Sequence, residues 1–156
     1  MNIGIRSLDT KEELLSFLEI AEINFLMALK EVKPELVNQR AVENVNTIAW
    51  IVGLCVSHVD WYLFLLANKQ LPTKEEGDFY DYGISKDRIK NYPYSYVKLL
   101  DAHLKITEKF YQILENLEEE KFEEIPHEKA QEKLSDVIKR VALHMLGHTG
   151  QIVLII

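Results

Sequence analysis

An all-α four-helix bundle is the fold this chain predicts, on three observations. Four long stretches carry apolar residues at helical spacing. Glycine and proline are scarce, six and four in 156 residues, whereas all-β chains need frequent turn residues. The connections between the stretches are polar and carry the prolines. At this length one domain, residues 1–156, is expected, and hydrophobic residues at 47% with charged residues at 28% argue against disorder.

The first helix opens at Asp9 or Thr10, either a suitable cap, with Glu12 and Glu13 in the first turn. Apolar residues recur at Leu14, Leu18, Ala21, Ile23, Phe25, Leu26 and Leu29, and Pro34 ends the run near Val32 or Lys33. A second helix spans about Thr47 to Asn68 and is apolar almost all round, as the most buried member of a bundle would be. Trp50, Leu54, His58, Trp61 and Leu65 share one stripe of it. It has roughly the ~20 residues of a membrane span, but Ser57, His58 and Asp60 stand at its middle, so a buried helix is the better reading.

After Leu71-Pro72 comes a polar connection dotted with tyrosines, with room for a short helical piece near Ser85 to Lys90. A connection that long can cross the bundle, which gives an up-down-down-up order with the third helix parallel to the second. The third helix is expected from Pro93 or Tyr94 to Leu117, burying Val97, Leu100, Leu104, Phe110, Ile113 and Leu114. Phe122 or Ile125 pins the next loop, and the fourth helix starts between Glu128 and Ser135 and runs toward the carboxyl end.

That last helix carries His144 and His148, four apart and therefore on one face, one turn above the other. Two neutral imidazoles fixed by a helix are half of a transition-metal site. Near the end of the chain stands His144-x-x-x-His148-x-Gly150-Gln151-Ile152, and far upstream Asn46-Thr47-Ile48-Ala49-Trp50-Ile51-Val52-Gly53. Together they resemble the fourth-helix and second-helix motifs of the DinB/YfiT-like family of metal-dependent four-helix bundles. The resemblance implies a divalent transition metal, zinc or nickel, held by one histidine of helix two and two of helix four. It implies thiol-S-transferase or hydrolase chemistry on a small molecule. Where the family's helix-two histidine stands, this chain has Leu54. His58, one turn further and about 6 Å along the axis, is the candidate replacement, so the metal set expected is His58, His144 and His148. No catalytic residue beyond these is legible.

Two readings therefore stand: a metal-dependent enzyme, or a degenerate bundle that lost its ligand at Leu54 and serves in binding, dimerisation or stress. His58 itself reads equally as a neutral core histidine. His103 and His127 read as solvated, Glu43 and Asp60 as carboxylates facing solvent, and Cys55 as a small core residue. Gly147 and Gly150 read as points where a neighbour approaches closely, and Gln151 as either an orienting partner for a ligand or a filler of a polar gap. A single cysteine and no signal-peptide pattern suit a cytoplasmic protein. The net charge of −7 argues against nucleic acid and anionic membrane as partners. The apolar end Ile152-Val153-Leu154-Ile155-Ile156 asks for a covering surface, either within the bundle or on a second subunit, and a homodimer is the expected assembly.

Overall fold

In the computed structural model, residues 10–42, 46–67 and 94–156 are described, and they form four α-helices and no strand. The helical piece expected near Ser85 to Lys90 and the carboxylate of Glu43 lie outside those residues.

α1 runs Lys11–Lys30. Its start is a capping box: the Thr10 hydroxyl accepts the Glu13 N–H at 3.2 Å, and the Glu13 carboxylate accepts the Thr10 N–H at 3.1 Å. Such a cap is worth ~1 kcal/mol. Pro34 then opens a single 3-10 turn, Pro34–Leu36. α2 runs Ile48–Ala67, with the Thr47 hydroxyl accepting the Trp50 N–H at 3.3 Å. α3 runs Tyr96–Glu115 behind Ser95, whose hydroxyl accepts the Lys98 N–H. The serine cap sets that start, two to three residues after the expected Pro93 or Tyr94. After a 3-10 turn at Glu119–Glu123, α4 runs Leu134–Val153.

Direction follows from contacts at the ends. Lys11, at the start of α1, donates to the Glu115 and Leu117 carbonyls at the end of α3, both at 2.7 Å. A cation there also meets the negative end of the α3 dipole. Tyr96, at the start of α3, donates to the Leu29 carbonyl at the end of α1. α1 and α3 are thus antiparallel. Tyr62, late in α2, meets Glu132 just before α4, while His58 meets His144 within it, so α2 and α4 are antiparallel as well. α1 packs chiefly along α4 and α2 along α3, with a lighter seam between α2 and α4. The order is up-down-down-up, as the sequence predicts.

α3 departs from the expected phase. Val97 and Leu104 are exposed, 76% and 50%, and the buried stripe is Leu99, His103, Ile106, Phe110 and Leu114. Phe122 is the residue that pins the following loop, fully buried, whereas Ile125 is exposed.

Candidate metal centre between α2 and α4

The inner stripe of α4 is Leu134, Ile138, Val141, Met145, His148 and Ile152, spaced three and four apart and all buried. Helical spacing therefore turns His148 inward, and His144, one turn earlier, lies at the edge of that stripe, half-buried. From across the seam α2 brings His58, also half-buried. The His144 ring meets both of the others. The His58 and His144 centroids are 4.3 Å apart at 73°, and those of His144 and His148 are 4.4 Å apart at 87°.

The two Nε2 atoms of His144 and His148 stand 3.1 Å apart. Two nitrogens each ~2.0–2.1 Å from one ion are separated by roughly 2.8–3.4 Å at octahedral to tetrahedral angles, so this pair fits. The Nδ1 of His148 faces the Gln151 carbonyl oxygen at 3.0 Å. With Nδ1–H donating there, Nε2 keeps its lone pair and turns it toward His144, the tautomer that a ligating histidine needs. The His58 Nδ1 is buried with no hydrogen-bond partner. Among the described residues no three His, Cys, Asp or Glu donors stand together in ligand geometry. His58 meets the pair ring to ring, and it is the pair that is aligned.

All three rings are held neutral. Burial is the main cause each time, pushing His58 to about 4 and His144 to about 3 and lowering His148. For His58 the Arg140 charge adds to this, and for His144 the neighbouring His58 does. Neutral imidazole is the form that ligates a metal, and no proton must leave first.

Sequence reasoning missed the rim. Tyr62 donates its hydroxyl to Glu132 at 3.2 Å, and Arg140 donates to the other carboxylate oxygen at 2.7 Å through Nη2 and 3.2 Å through Nε. Tyr62 is one turn after His58 and Arg140 one turn before His144, so same-face spacing was the signal available. Glu132 lies in the loop before α4, where spacing gives no signal. The Glu132–Arg140 pair is the ridge between two hollows. One, about 610 Å3, includes His144 and Leu143 in its wall. The other, about 390 Å3, includes Trp61 and Tyr62. A further hollow, about 980 Å3, is an acidic groove between α1 and α3 that no histidine lines, and there burial and Glu19 push Glu22 up to about 7.

Other expected positions resolve differently. His103 is fully buried, not solvated, with its ring against Phe25 at 5.1 Å and both ring nitrogens without a hydrogen-bond partner. Asp60 is buried at 6% exposure rather than facing solvent. His127 is half-buried, and its Nδ1 accepts the Lys129 N–H at 3.0 Å. Gly147 and Gly150 admit no close neighbour: a Cβ at either would meet nothing within 4 Å, because both sit on the solvent face of α4. Cys55 is fully buried, the small core residue expected, and burial pushes its thiol up. Leu54 is half-buried one turn before His58.

The family model of the DinB superfamily matches residues 18–152. The chain belongs to the DinB superfamily. Among solved structures it is similar to a crystal structure of a Streptococcus pneumoniae protein, at a TM-score of 0.70 and 16% identity, covering 96% of this chain and 91% of that one. It is also similar to the colibactin self-resistance protein ClbS, crystallised in complex with dsDNA, at a TM-score of 0.65 and 15% identity, covering 92% and 94%. Likeness at such identity shows the DinB-like bundle fold. No curated protein sequence matches the chain. The ClbS complex overturns the expectation that nucleic acid is not a partner: a bundle of this fold is crystallised with duplex DNA. The net charge of −7 sums the whole chain, while binding depends on the potential of one surface. Among the described residues no helix is long and apolar enough to cross a membrane.

Proposed function

We propose that this DinB-superfamily protein is a metal-dependent enzyme acting on a small molecule by thiol transfer or hydrolysis, with His58, His144 and His148 as the ligands of a zinc or nickel ion. The observation that carries the reading is the 3.1 Å approach of the two Nε2 atoms, with Gln151 fixing the tautomer of one. Such an ion, when bound, lowers the pKa of a bound water or thiol toward neutrality. The chain's own part is to hold three imidazoles neutral, to aim the His148 lone pair, and to leave the His144 edge open to a hollow of about 610 Å3. A space of that size suits a small-molecule substrate. The reading includes a cytoplasmic homodimer. Ile20, Ile23 and Met27 on α1, Leu143 on α4 and Leu154 just after it leave apolar surface exposed, and sedimentation of the purified chain measures whether a second copy covers it.

Elemental analysis tests the metal. Protein purified without chelator is expected to hold near-stoichiometric zinc or nickel, and His148→Ala to hold none. Metal-free protein whose thermal midpoint does not move with zinc, nickel or manganese would contradict the reading and leave the non-enzymatic bundle.

A second reading, contact with duplex DNA, is favoured by the ClbS complex. On this chain Lys133 at the start of α4 and Lys139 and Arg140 within it are paired with Glu123, Asp136 and Glu132. The Lys133–Glu123 pair is exposed on both sides, and such a pair is worth little, so a phosphate can take over that cation. Anisotropy of a labelled duplex should then rise with protein at low salt and fall as salt increases. A flat titration at low salt removes this reading.

A further inference from the structure

The hollow between α1 and α3 takes no part in the histidine site, and its chemistry is of another kind. α1 and α3 barely touch along their length, so the seam between them stays open as a groove of about 980 Å3. On α1 it runs from Glu12 to Leu26, about 21 Å by helical rise. Positions 12, 15, 19, 22, 23 and 26 recur at three and four, and this one face of α1 alternates acid with hydrocarbon. Glu12, Glu19 and Glu22 supply the carboxylates, joined by Glu115 from α3. Leu15, Ile23 and Leu26 supply the apolar lining, joined by Tyr111 from α3.

The charge of that face is uncompensated. Lys11 is the only cation among the described residues lining the groove, and its ammonium is engaged by the Glu115 and Leu117 carbonyls. Among the described residues no hydrogen bond or ion pair reaches the carboxylates of Glu12, Glu19, Glu22 or Glu115. The Tyr111 hydroxyl is buried and likewise makes no hydrogen bond. Burial, and then the charges of Glu22, Glu19 and Glu115, push its pKa up, so acids from both walls converge on it. Buried polar groups are ordinarily hydrogen-bonded. An ammonium group seated among these carboxylates would donate to several of them at once, and half-buried Glu22 gains most from such a cation.

We propose that the groove between α1 and α3 binds a linear aliphatic polyamine, its ammonium groups on the carboxylates and its methylene runs along Leu15, Ile23, Leu26 and the Tyr111 ring. A compact metal cation would leave the apolar lining unused. Nucleic acid and anionic lipid are repelled by the same carboxylates. A monoamine would meet one acid of the row. A chain that alternates charge with hydrocarbon matches a helix face that does the same, and an aromatic ring beside a cation adds to the attraction.

Calorimetric titration of spermine into the full chain at low salt tests this. Saturable binding of one spermine per chain is expected, with magnesium chloride giving far weaker heat. Glu19→Gln combined with Glu22→Gln should weaken spermine about tenfold or more, the scale of one charge-assisted hydrogen bond. That double variant removes a like-charge pair from one helix face, so the fold should survive it. Glu31→Gln combined with Glu35→Gln removes the same charge from two exposed positions outside the groove and should leave the affinity unchanged. Absence of saturable binding would overturn the proposal. Equal losses in the two double variants would reduce it to attraction by the whole chain's charge, and magnesium binding as tight as spermine would remove the aliphatic ligand. No histidine lines the groove, so each of these outcomes leaves the metal reading untouched.

Discussion

Two buried histidine environments in one small bundle differ in what surrounds them. At the seam of α2 and α4, the His144 ring meets those of His58 and His148, a carbonyl oxygen fixes one tautomer, and a hollow opens beside His144. Inside α3, His103 lies fully buried against Phe25 with neither nitrogen hydrogen-bonded. Burial lowers the proton affinity in both places, pushing His103 to about 4 much as it does His58. Desolvation is therefore no marker of function here. Convergence of nitrogens and access from solvent separate the site from the solitary ring.

The contrast breaks most visibly under zinc. His144→Ala or His148→Ala should remove the ion altogether and abolish any zinc-dependent rise in thermal midpoint, a rise that corresponds to ~2.7 kcal/mol at a hundred times the dissociation constant. His103→Leu should bind zinc like the unaltered protein, as calorimetric titration would show. Loss of zinc in the His103 variant would erase the distinction.

Acid sharpens it next. The His103 pKa falls from 6.5 to about 4 on folding, so between those values the unfolded chain binds more protons. Its contribution is fully present above pH 6.5 and is lost as pH falls toward 4, a loss of about 3 kcal/mol at ~1.36 kcal/mol per unit. Urea melts at pH 7 and pH 4.5 should show a smaller acid loss in His103→Leu than in the unaltered chain. At pH 7 the same variant should be as stable as the unaltered chain or up to ~1 kcal/mol more so. An apolar side chain of similar size leaves no buried polar nitrogen unsatisfied. A large loss of stability in His103→Leu would mean that the ring has partners which the contacts around it do not show.

The smallest effect is expected far from both places. Lys133→Ala removes an ion pair whose side chains are 52% and 60% exposed, and its effect on the urea midpoint should stay within ~0.5 kcal/mol. A larger change would mean that the start of α4, which lacks a side-chain cap, depends on that pair.

What the sequence reveals tracks what is local. Capping at Thr10, the apolar girth of α2 and the four-residue spacing of His144 and His148 are properties of neighbouring residues, and the fold class and helix order follow from them. The phase of α3 was misread because Val97, Leu100 and Leu104 make an apolar line that competes with Leu99, Ile106, Phe110 and Leu114. A histidine at position 103 completes the second line, and a polar residue on a core stripe is what periodicity discounts. Gly147 and Gly150 suggested close packing, yet they face away from the stripe that holds Met145 and His148. Glu132 was out of reach for another reason: its partners Tyr62 and Arg140 sit on two helices, and only the closed bundle brings them to one carboxylate. The separation of His58 from the Nε2 pair is likewise a property of the tertiary seam.

X-ray absorption at the zinc edge, on protein loaded with one equivalent, measures the central claim most directly. Nitrogen scatterers at ~2.0–2.1 Å with the outer-shell pattern of three imidazoles are expected, falling to two in His58→Ala. An oxygen-only shell, or two imidazoles in both proteins, would contradict the assignment of His58, His144 and His148 to one ion.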